Sequence, residues 1–218
     1  MRTEVKFCGL TRAEDARAAA ELGAGYVGVV LADGPRRLTP ERAASVLDGA
    51  GQGASRAGVF GACGTADIVA ASRAARLDVV QLHGDPAPED VERVHAVTGA
   101  RVWAVIRVRR HDVEALRARV ASLDGLADAI VLDAFVEGQL GGTGTPFDWT
   151  LVDETTRPKH ARLVLAGGLA PENVGHAVAA LAPDVVDVSS GVEERPGIKS
   201  RDRMRAFVEA VRAHEGPR

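Results

Sequence analysis

Cysteine and aromatic residues are both scarce in this sequence of 218 residues. The two cysteines, Cys8 and Cys63, are too few for a disulfide framework in a chain of this length. Free thiols and a cytoplasmic location are therefore expected. Aromatic side chains make up 4% of the residues, which argues against a protein that stacks single-stranded nucleic acid on aromatic rings.

The sequence also lacks long apolar runs and a strong excess of either charge. The longest apolar segments, such as the one that begins at Tyr26, are far shorter than a membrane-spanning helix. Lys6 and Arg12 interrupt the amino-terminal region, so no secretory signal is expected there. A net charge of −3 gives no electrostatic reason to expect nucleic acid or an anionic membrane as a partner.

Short β-branched runs alternate with longer amphipathic segments along the whole chain. We predict eight strands, at residues 5–8, 26–31, 56–60, 78–82, 102–108, 129–133, 163–166 and 185–188. A repeat of about 25 residues without a linker predicts an α/β fold, a single (β/α)8 TIM barrel that forms one domain over residues 1–218. A doubly wound open sheet is the alternative, but the first turn, "CGLT", lacks the glycine-rich pattern of that fold.

Helix-start signals follow several of these strands. Thr11 and Glu14 have the spacing of a capping box, and Thr39 followed by Pro40 predicts a helix with proline at its first position. A further helix is predicted to begin at Pro171, and the last helix is predicted from about residue 202 to 214.

Polar residues or glycines stand at the predicted carboxyl ends of the strands. In a barrel these ends form the catalytic face, and phosphate is often bound after strands 7 and 8. Polar loop starts are common in any protein, yet that explanation accounts poorly for the whole set. The set comprises Cys8, Gln81, His83, Gly84, Asp85, Arg107, Asp133, Gly167, Gly168, Ser189, Ser190 and Gly191.

The sequence alone leaves two interpretations open for each of these residues. Cys8 is either a packing residue or a reactive thiol, and Asp133 is either a functional carboxylate or a loop cap. His83 is either a structural histidine or a ligand contact, with no partner at a spacing that predicts a metal site. The glycine and serine pairs after strands 7 and 8 indicate either a phosphate site or tight turns. We regard Cys63 as incidental.

Six segments occur in an order that identifies a known family. They are "KFCGLT", "VQLHGD", "VLDA", "GGTGTPFDW", "LAGGLAPENV" and "DVSSGVEERPGIK", spread from Lys6 to Lys199. With these segments the chain resembles the phosphoribosylanthranilate isomerases of tryptophan biosynthesis over essentially its whole length. The resemblance implies a barrel without a cofactor or metal. It also implies conversion of N-(5-phosphoribosyl)anthranilate to 1-(2-carboxyphenylamino)-1-deoxyribulose 5-phosphate by an Amadori rearrangement.

The resemblance also implies a role for individual residues. Cys8 matches the general base of the family and Asp133 its general acid. Arg36, directly after Pro35, matches the arginine that contacts the anthranilate carboxylate, with Arg37 as the alternative. His83 and Asp187 match substrate contacts. The residues that match the phosphate site are Gly142, Gly167, Gly168, Ser189, Ser190 and Gly191. The implied partner is thus a small phosphorylated substrate, while the oligomeric state stays open.

One electrostatic expectation comes from strand alternation rather than from the family. Lys6 and Cys8 lie two residues apart and therefore share one face of the first strand. A thiol with an ordinary pKa is a poor base at neutral pH. We expect the charge of Lys6 to favour the Cys8 thiolate.

Three other functions compete with this interpretation. ProFAR isomerases and their dual-substrate relatives perform the same rearrangement but have an aspartate at the position of Cys8. Indole-glycerol-phosphate synthase depends on strand-end lysines that this sequence lacks. A catalytically inactive barrel that serves as a binding subunit is the non-enzymatic alternative, and the presence of Cys8 and Asp133 argues against it.

Overall fold

The computed structural model describes residues 2–108, 112–134 and 149–214. Eight parallel strands form a closed barrel in chain order, with the last strand paired to the first. The predicted (β/α)8 barrel is confirmed, and the predicted strand ends differ from the observed ones by at most one residue. The strands are β1 (Glu4–Phe7), β2 (Tyr26–Val30), β3 (Ser55–Phe60), β4 (Val79–Leu82), β5 (Arg101–Val108), β6 (Ala129–Ala134), β7 (Arg162–Leu165) and β8 (Val185–Val188).

Helices alternate with these strands and pack on the outward-facing strand residues. For example, Phe7 of β1 meets Phe207 of the last helix with ring centroids 6.2 Å apart. Between β6 and β7 the described residues include a 3-10 turn at Trp149–Leu151. The helices are α1 (Ala13–Glu21), α2 (Pro40–Leu47), α3 (Thr65–Ala75), α4 (Pro88–Thr98), α5 (Val113–Leu123), α6 (Val174–Leu181) and α7 (Arg201–Ala213).

The helix starts agree only in part with the sequence signals. Thr39 caps α2 as predicted, since its side chain accepts a hydrogen bond from the Arg42 N–H. The capping box at Thr11 is wrong: α1 begins after Arg12, and the Thr11 hydroxyl donates to the Gly197 carbonyl instead. The Thr11 hydroxyl is therefore engaged in a tertiary hydrogen bond and does not cap α1. Helix α6 begins three residues later than Pro171, after a turn.

Alternate strand residues fill the inside of the barrel, as period-two geometry requires. Tyr26 and Trp103 pack edge to face there, with centroids 4.8 Å apart. The Lys6 Nζ lies 5.8 Å from the centroid of the Trp103 ring. The apolar interior of the barrel therefore borders a charged side chain, which belongs to the residue two positions before Cys8. The interior cluster comprises Tyr26, Ala57, Val79, Trp103, Val105, Ala129, Val131, Val164, Ala166 and Val185.

A short antiparallel hairpin that the sequence analysis did not predict follows the barrel. Its strands are β9 (Glu193–Arg195) and β10 (Ile198–Lys199). Because only one 3-10 turn separates the hairpin from β8, the hairpin brings the side chains of Glu193 and Lys199 to the carboxyl end of the barrel. None of the helices in the described residues has the length and apolar character needed to cross a membrane.

Candidate active site

A cavity of about 1330 Å³ opens at the carboxyl ends of the barrel strands. Parallel strands in a closed barrel bring residues that are far apart in sequence to one end of the molecule. Nine of the residues selected from the sequence line this cavity: Cys8, Arg36, His83, Asp133, Gly167, Gly168, Asp187, Ser189 and Ser190. Among the described residues, Gly191 is not part of the lining, and Gly142 lies outside the described ranges.

Cys8 directly follows β1 and lines the cavity. Gly9, the next residue, has no side chain to block the neighbouring loops. Gly9 has a φ of +67°, which disfavours any residue with a side chain. A Cβ at this position would lie 2.5 Å from Arg36 Cδ and 2.8 Å from Ser189 Oγ. The glycine therefore allows the loops after β2 and β8 to meet beside the thiol.

Lys6 is fully buried and lies between Asp187 and Cys8. Its Nζ donates a hydrogen bond of 2.6 Å to Asp187 Oδ2, and the two residues are register partners in β1 and β8. Burial by itself lowers the pKa of Lys6, but the attraction of Asp187 and Cys8 more than compensates and raises that pKa overall. Lys6 is therefore a permanent cation in the site.

The pKa of the Cys8 thiol is higher than the presence of the Lys6 charge alone would predict. Burial raises the pKa of Cys8, Lys6 lowers it by less, and the carboxylate of Asp187 raises it again. The net pKa of Cys8 lies above its ordinary value. The expectation that the charge of Lys6 favours the thiolate is confirmed, but burial first and the carboxylate of Asp187 second outweigh this contribution.

Asp133, near the end of β6, holds a proton far more readily than an ordinary carboxyl group. Its exposed fraction is 8%, and burial raises its pKa to about 6. The nearby charge of Asp187 adds to this increase, while Arg107, its register partner in β5, opposes it. Asp133 therefore retains its proton closer to neutral pH than an ordinary carboxyl group does.

Gly167 belongs to the surroundings of Asp133 as well as to the loop after β7. Its φ is +83°, and a Cβ on it would lie 2.5 Å from Asp133 Oδ1. A side chain would also overlap the backbone N–H of Ala134. The first glycine of this pair thus lets the β7 loop pass directly beside the carboxyl group.

The loops after β7 and β8, where the sequence predicts a phosphate site, pack against each other. The Asn173 side chain fixes the first loop by donating to the Gly168 carbonyl and accepting from the Ala170 N–H. A 3-10 turn at Ser190–Val192 opens the second loop. Gly191 has no room for a side chain because a Cβ would overlap the Leu169 carbonyl. First-turn N–H groups of this kind favour anions.

Three buried polar atoms at the cavity have no hydrogen-bond partner within the described part of the chain: His83 Nδ1, Gln81 Oε1 and Asp187 Oδ1. Burial, with help from Arg107, lowers the pKa of His83 to about 4, so its ring is neutral at neutral pH. Such atoms cost free energy unless a ligand pairs with them, and sugar hydroxyl groups are suitable partners. In the described ranges no three His, Cys, Asp or Glu side chains are grouped to hold a metal ion.

Arg36 and Arg37 have different environments. The Arg36 side chain is 15% exposed and donates to Glu193 through Nε at 2.8 Å and Nη2 at 2.6 Å. Arg37 is 60% exposed and pairs with Asp33 on the surface. Both residues border the cavity, but Arg36 is the arginine that is held in one orientation.

Comparison with known proteins agrees with this geometry. The family model described as N-(5'phosphoribosyl)anthranilate (PRA) isomerase matches residues 5–210. The chain belongs to this isomerase family. An N-(5'-phosphoribosyl)anthranilate isomerase of Pseudomonas aeruginosa is 41% identical over 211 residues, which are 96% of this chain and 95% of the relative.

Solved structures of phosphoribosylanthranilate isomerases show the same barrel. The enzyme from Thermus thermophilus has a TM-score of 0.83 and 35% identity, over 98% of this chain and 99% of that one. A second isomerase structure, in complex with reduced 1-(o-carboxyphenylamino)-1-deoxyribulose 5-phosphate, has a TM-score of 0.80 and 31% identity. It covers 97% of this chain and 99% of the other.

Two residues next to this site, Glu193 and Lys199, escaped the sequence analysis, whereas Gln81 was among the strand-end residues but was given no role. Gln81 stands two residues before His83 in "VQLHGD", so strand alternation places both on the inner face of β4. Glu193 and Lys199 are the first and last residues of the short hairpin, and the sequence pattern does not reveal the fold that brings Glu193 to both Arg36 and Lys199.

Replacement of Lys6 by Met should raise the pKa of Cys8 further and destabilise the isomerase. The variant removes the cation beside the thiol and leaves Asp187 buried without its partner. Breaking a buried ion pair in this way costs about 3–5 kcal/mol. The pH dependence of Cys8 alkylation, in a Cys63→Ser background, measures the first effect, and thermal melting measures the second.

The double variant Lys6→Met/Asp187→Asn is the matched control. Because neither charge is left unpaired, it should recover most of the lost melting temperature. An unchanged pKa of Cys8 in the single variant would contradict the assignment of Lys6 as the thiol's electrostatic partner.

Proposed function

We propose that this chain converts N-(5-phosphoribosyl)anthranilate to 1-(2-carboxyphenylamino)-1-deoxyribulose 5-phosphate in tryptophan biosynthesis, with Asp133 as general acid and Cys8 as general base. Isomerase activity follows from membership of the family. The observation that carries the residue roles is that a carboxyl group with a pKa of about 6 and a buried thiol line the same cavity. Two free thiols are in keeping with a single cytoplasmic domain.

In the first step Asp133 opens the ribose ring. Its proton goes to the furanose ring oxygen while the C1′–O bond breaks, and the nitrogen lone pair forms an iminium with C1′. The raised pKa of Asp133 makes the proton available near neutral pH. Once deprotonated, the carboxylate faces the new positive charge of the iminium and stabilises it.

In the second step Cys8 removes a proton from C2′. The iminium acidifies this C–H bond, and its electrons form the C1′–C2′ double bond of an enolamine, which then tautomerises to the ketone. Cys8 has to be a thiolate at this point. Burial holds the pKa of Cys8 above its ordinary value, and both the charge of Lys6 and the positive charge of the iminium act against this increase.

Substrate binding uses two groups of residues that border the cavity. We assign the phosphate to the loops of Gly168, Ser189 and Ser190 and the anthranilate carboxylate to Arg36. The unpaired acceptors of Gln81 and Asp187 suit the ribose hydroxyl groups. Support comes from the relative that was solved with the reduced product, a ligand with a carboxylate at one end and a phosphate at the other.

Purified protein should therefore consume N-(5-phosphoribosyl)anthranilate, which can be followed by the loss of its fluorescence. Addition of a chelator should leave the rate unchanged, because acid and base are both side chains. The ProFAR substrate, offered in parallel, tests the dual-substrate alternative. Absence of turnover by well-folded protein would refute the proposed function.

Arg36→Ala should raise KM, and Arg37→Ala should have little effect. Loss of a charge-assisted hydrogen bond to the carboxylate corresponds to roughly a 10- to 100-fold increase in KM. Arg37 provides the matched control because it is the next residue and is exposed. The reverse pattern in steady-state kinetics would assign the carboxylate to Arg37.

A further inference from the structure

Glu193, at the start of β9, is surrounded by hydrogen-bond donors from three directions. It accepts from Arg36 through both carboxylate oxygens, from Lys199 Nζ at 2.9 Å and from the Gly197 N–H at 3.2 Å. The side chain of Glu193 is 5% exposed and that of Lys199 is fully buried. A carboxylate that is this completely paired holds its partners in fixed positions.

The charges of this cluster do not cancel. Burial lowers the pKa of Lys199 from its ordinary high value, and Glu193 opposes this decrease. With Lys199 protonated, Arg36 and Lys199 carry two positive charges against the one negative charge of Glu193. Burial tends to raise the pKa of Glu193, but hydrogen bonds from Arg36 and the charge of Lys199 lower it overall, so the carboxylate stays ionised. One unit of positive charge is left over. Within the described residues Arg36 Nη1 has no partner, and Arg36 borders the cavity.

Lys199 connects the same cluster to the loop after β8. Its Nζ also donates to the Ser189 carbonyl at 3.0 Å, and Ser189 lines the cavity. Glu193 and Lys199 together therefore join the β2 loop, which carries Arg36, to the β8 loop, which we assign to the phosphate. The close approach of Arg36 and Ser189 over Gly9 is part of the same arrangement.

We propose that Glu193 is a positioning residue that orients Arg36 for a carboxylate on the aromatic ring of the substrate, with Lys199 tying this pair to the phosphate loop. The inference rests on the proposed contact between Arg36 and the anthranilate. An arginine that is already held in place loses little side-chain entropy when its ligand binds. Glu193 thereby sets the preference for a carboxylated arylamine over a neutral one.

The test compares two ligands by calorimetry: the reduced product analogue, and the same molecule without the aromatic carboxylate. Wild-type protein should bind the carboxylated ligand more tightly. In Glu193→Gln the net positive charge rises, but Arg36 loses half of the fork that holds it, and if orientation dominates, the affinity for the carboxylated ligand should fall roughly 10-fold or more. The affinity for the ligand without the carboxylate should stay near that of the wild type.

Matched variants separate positioning from folding. Glu194→Gln, at an exposed neighbouring position, should bind both ligands as the wild type does. If Glu193→Gln does not fold, Glu193→Asp keeps the charge but is too short for both Arg36 nitrogens, and it should show the same selective loss. An equal loss for both ligands in the folded variant overturns the inference, because only general structure would then be affected.

Arg36→Ala distinguishes failure of this inference from failure of the proposed function. If Arg36→Ala abolishes the preference for the carboxylate while Glu193→Gln and Glu193→Asp keep it, Arg36 needs no positioning and the inference is wrong. If wild-type protein neither turns over the substrate nor prefers the carboxylated ligand, the function itself is wrong. Selective loss in both Arg36 and Glu193 variants supports the inference.

Discussion

Cys8→Ser is expected to lower kcat by roughly 10²–10⁴, the usual contribution of a positioned general base. Serine is almost the same size as cysteine, but its hydroxyl group does not ionise near neutral pH. The thiol faces a cavity, and Lys6 can donate to an oxygen as well as to a sulfur. The melting temperature should therefore change little while turnover is lost.

The alternative role of Cys8 as a packing residue predicts the opposite result. Trimming a small buried hydrophobic side chain in Cys8→Ala would then reduce stability slightly and leave the rate unchanged. Cys63→Ser is the matched control, because Cys63 is an exposed thiol at the rim of the same cavity. A Cys8→Ser variant with wild-type kcat/KM would remove Cys8 from the mechanism.

Asp133→Asn is expected to lower kcat by roughly 10²–10⁴ and, above neutral pH, to stabilise the protein. The amide keeps the shape of the carboxyl group but has no proton to give to the ring oxygen. It also avoids the cost of burying a charge. Asp133 has a folded-state pKa of about 6 against an ordinary value of 3.8.

The sign of the pH effect follows from this raised pKa. Asp133 contributes its full stability below its ordinary pKa, where it is protonated in both states, and the contribution is lost as the pH rises through about 6. The total difference is on the order of 2–3 kcal/mol. Wild-type protein should therefore lose melting temperature relative to Asp133→Asn between about pH 4 and pH 7. Parallel melting curves over that range would indicate an ordinary carboxyl group.

Strand positions and the location of the site were predictable because both depend on local signals. β-branched runs separated by amphipathic segments fixed all eight strands to within a residue. A closed parallel barrel then places strand ends such as Cys8, Asp133 and Ser189 around one cavity. Among the predicted phosphate residues, the close approaches of Gly167 to Asp133 and of Gly191 to Leu169 became apparent only from the structure.

Features that depend on tertiary contacts were not predictable. The Thr11 hydroxyl binds Gly197, more than 180 positions away in the sequence, so its local spacing to Glu14 was misleading. The pKa of Cys8 depends on burial and on the pairing of Lys6 with Asp187, which strand register creates. Alternation along β1 places Lys6 beside Cys8, but it does not show that Asp187 of β8 pairs with Lys6.

Deuterium at C2′ of the substrate provides the most direct test of the acid–base assignment. If Cys8 removes the C2′ proton, this step becomes rate-limiting in Cys8→Ser, and the deuterated substrate should react with a large primary isotope effect. If Asp133 opens the ring, that earlier step limits Asp133→Asn, and the isotope effect there should be close to unity. The residual rates of both variants can be followed by fluorescence with labelled and unlabelled substrate. Equal isotope effects in the two variants, or the larger effect in Asp133→Asn, would contradict the assignment of Cys8 as the base and Asp133 as the acid.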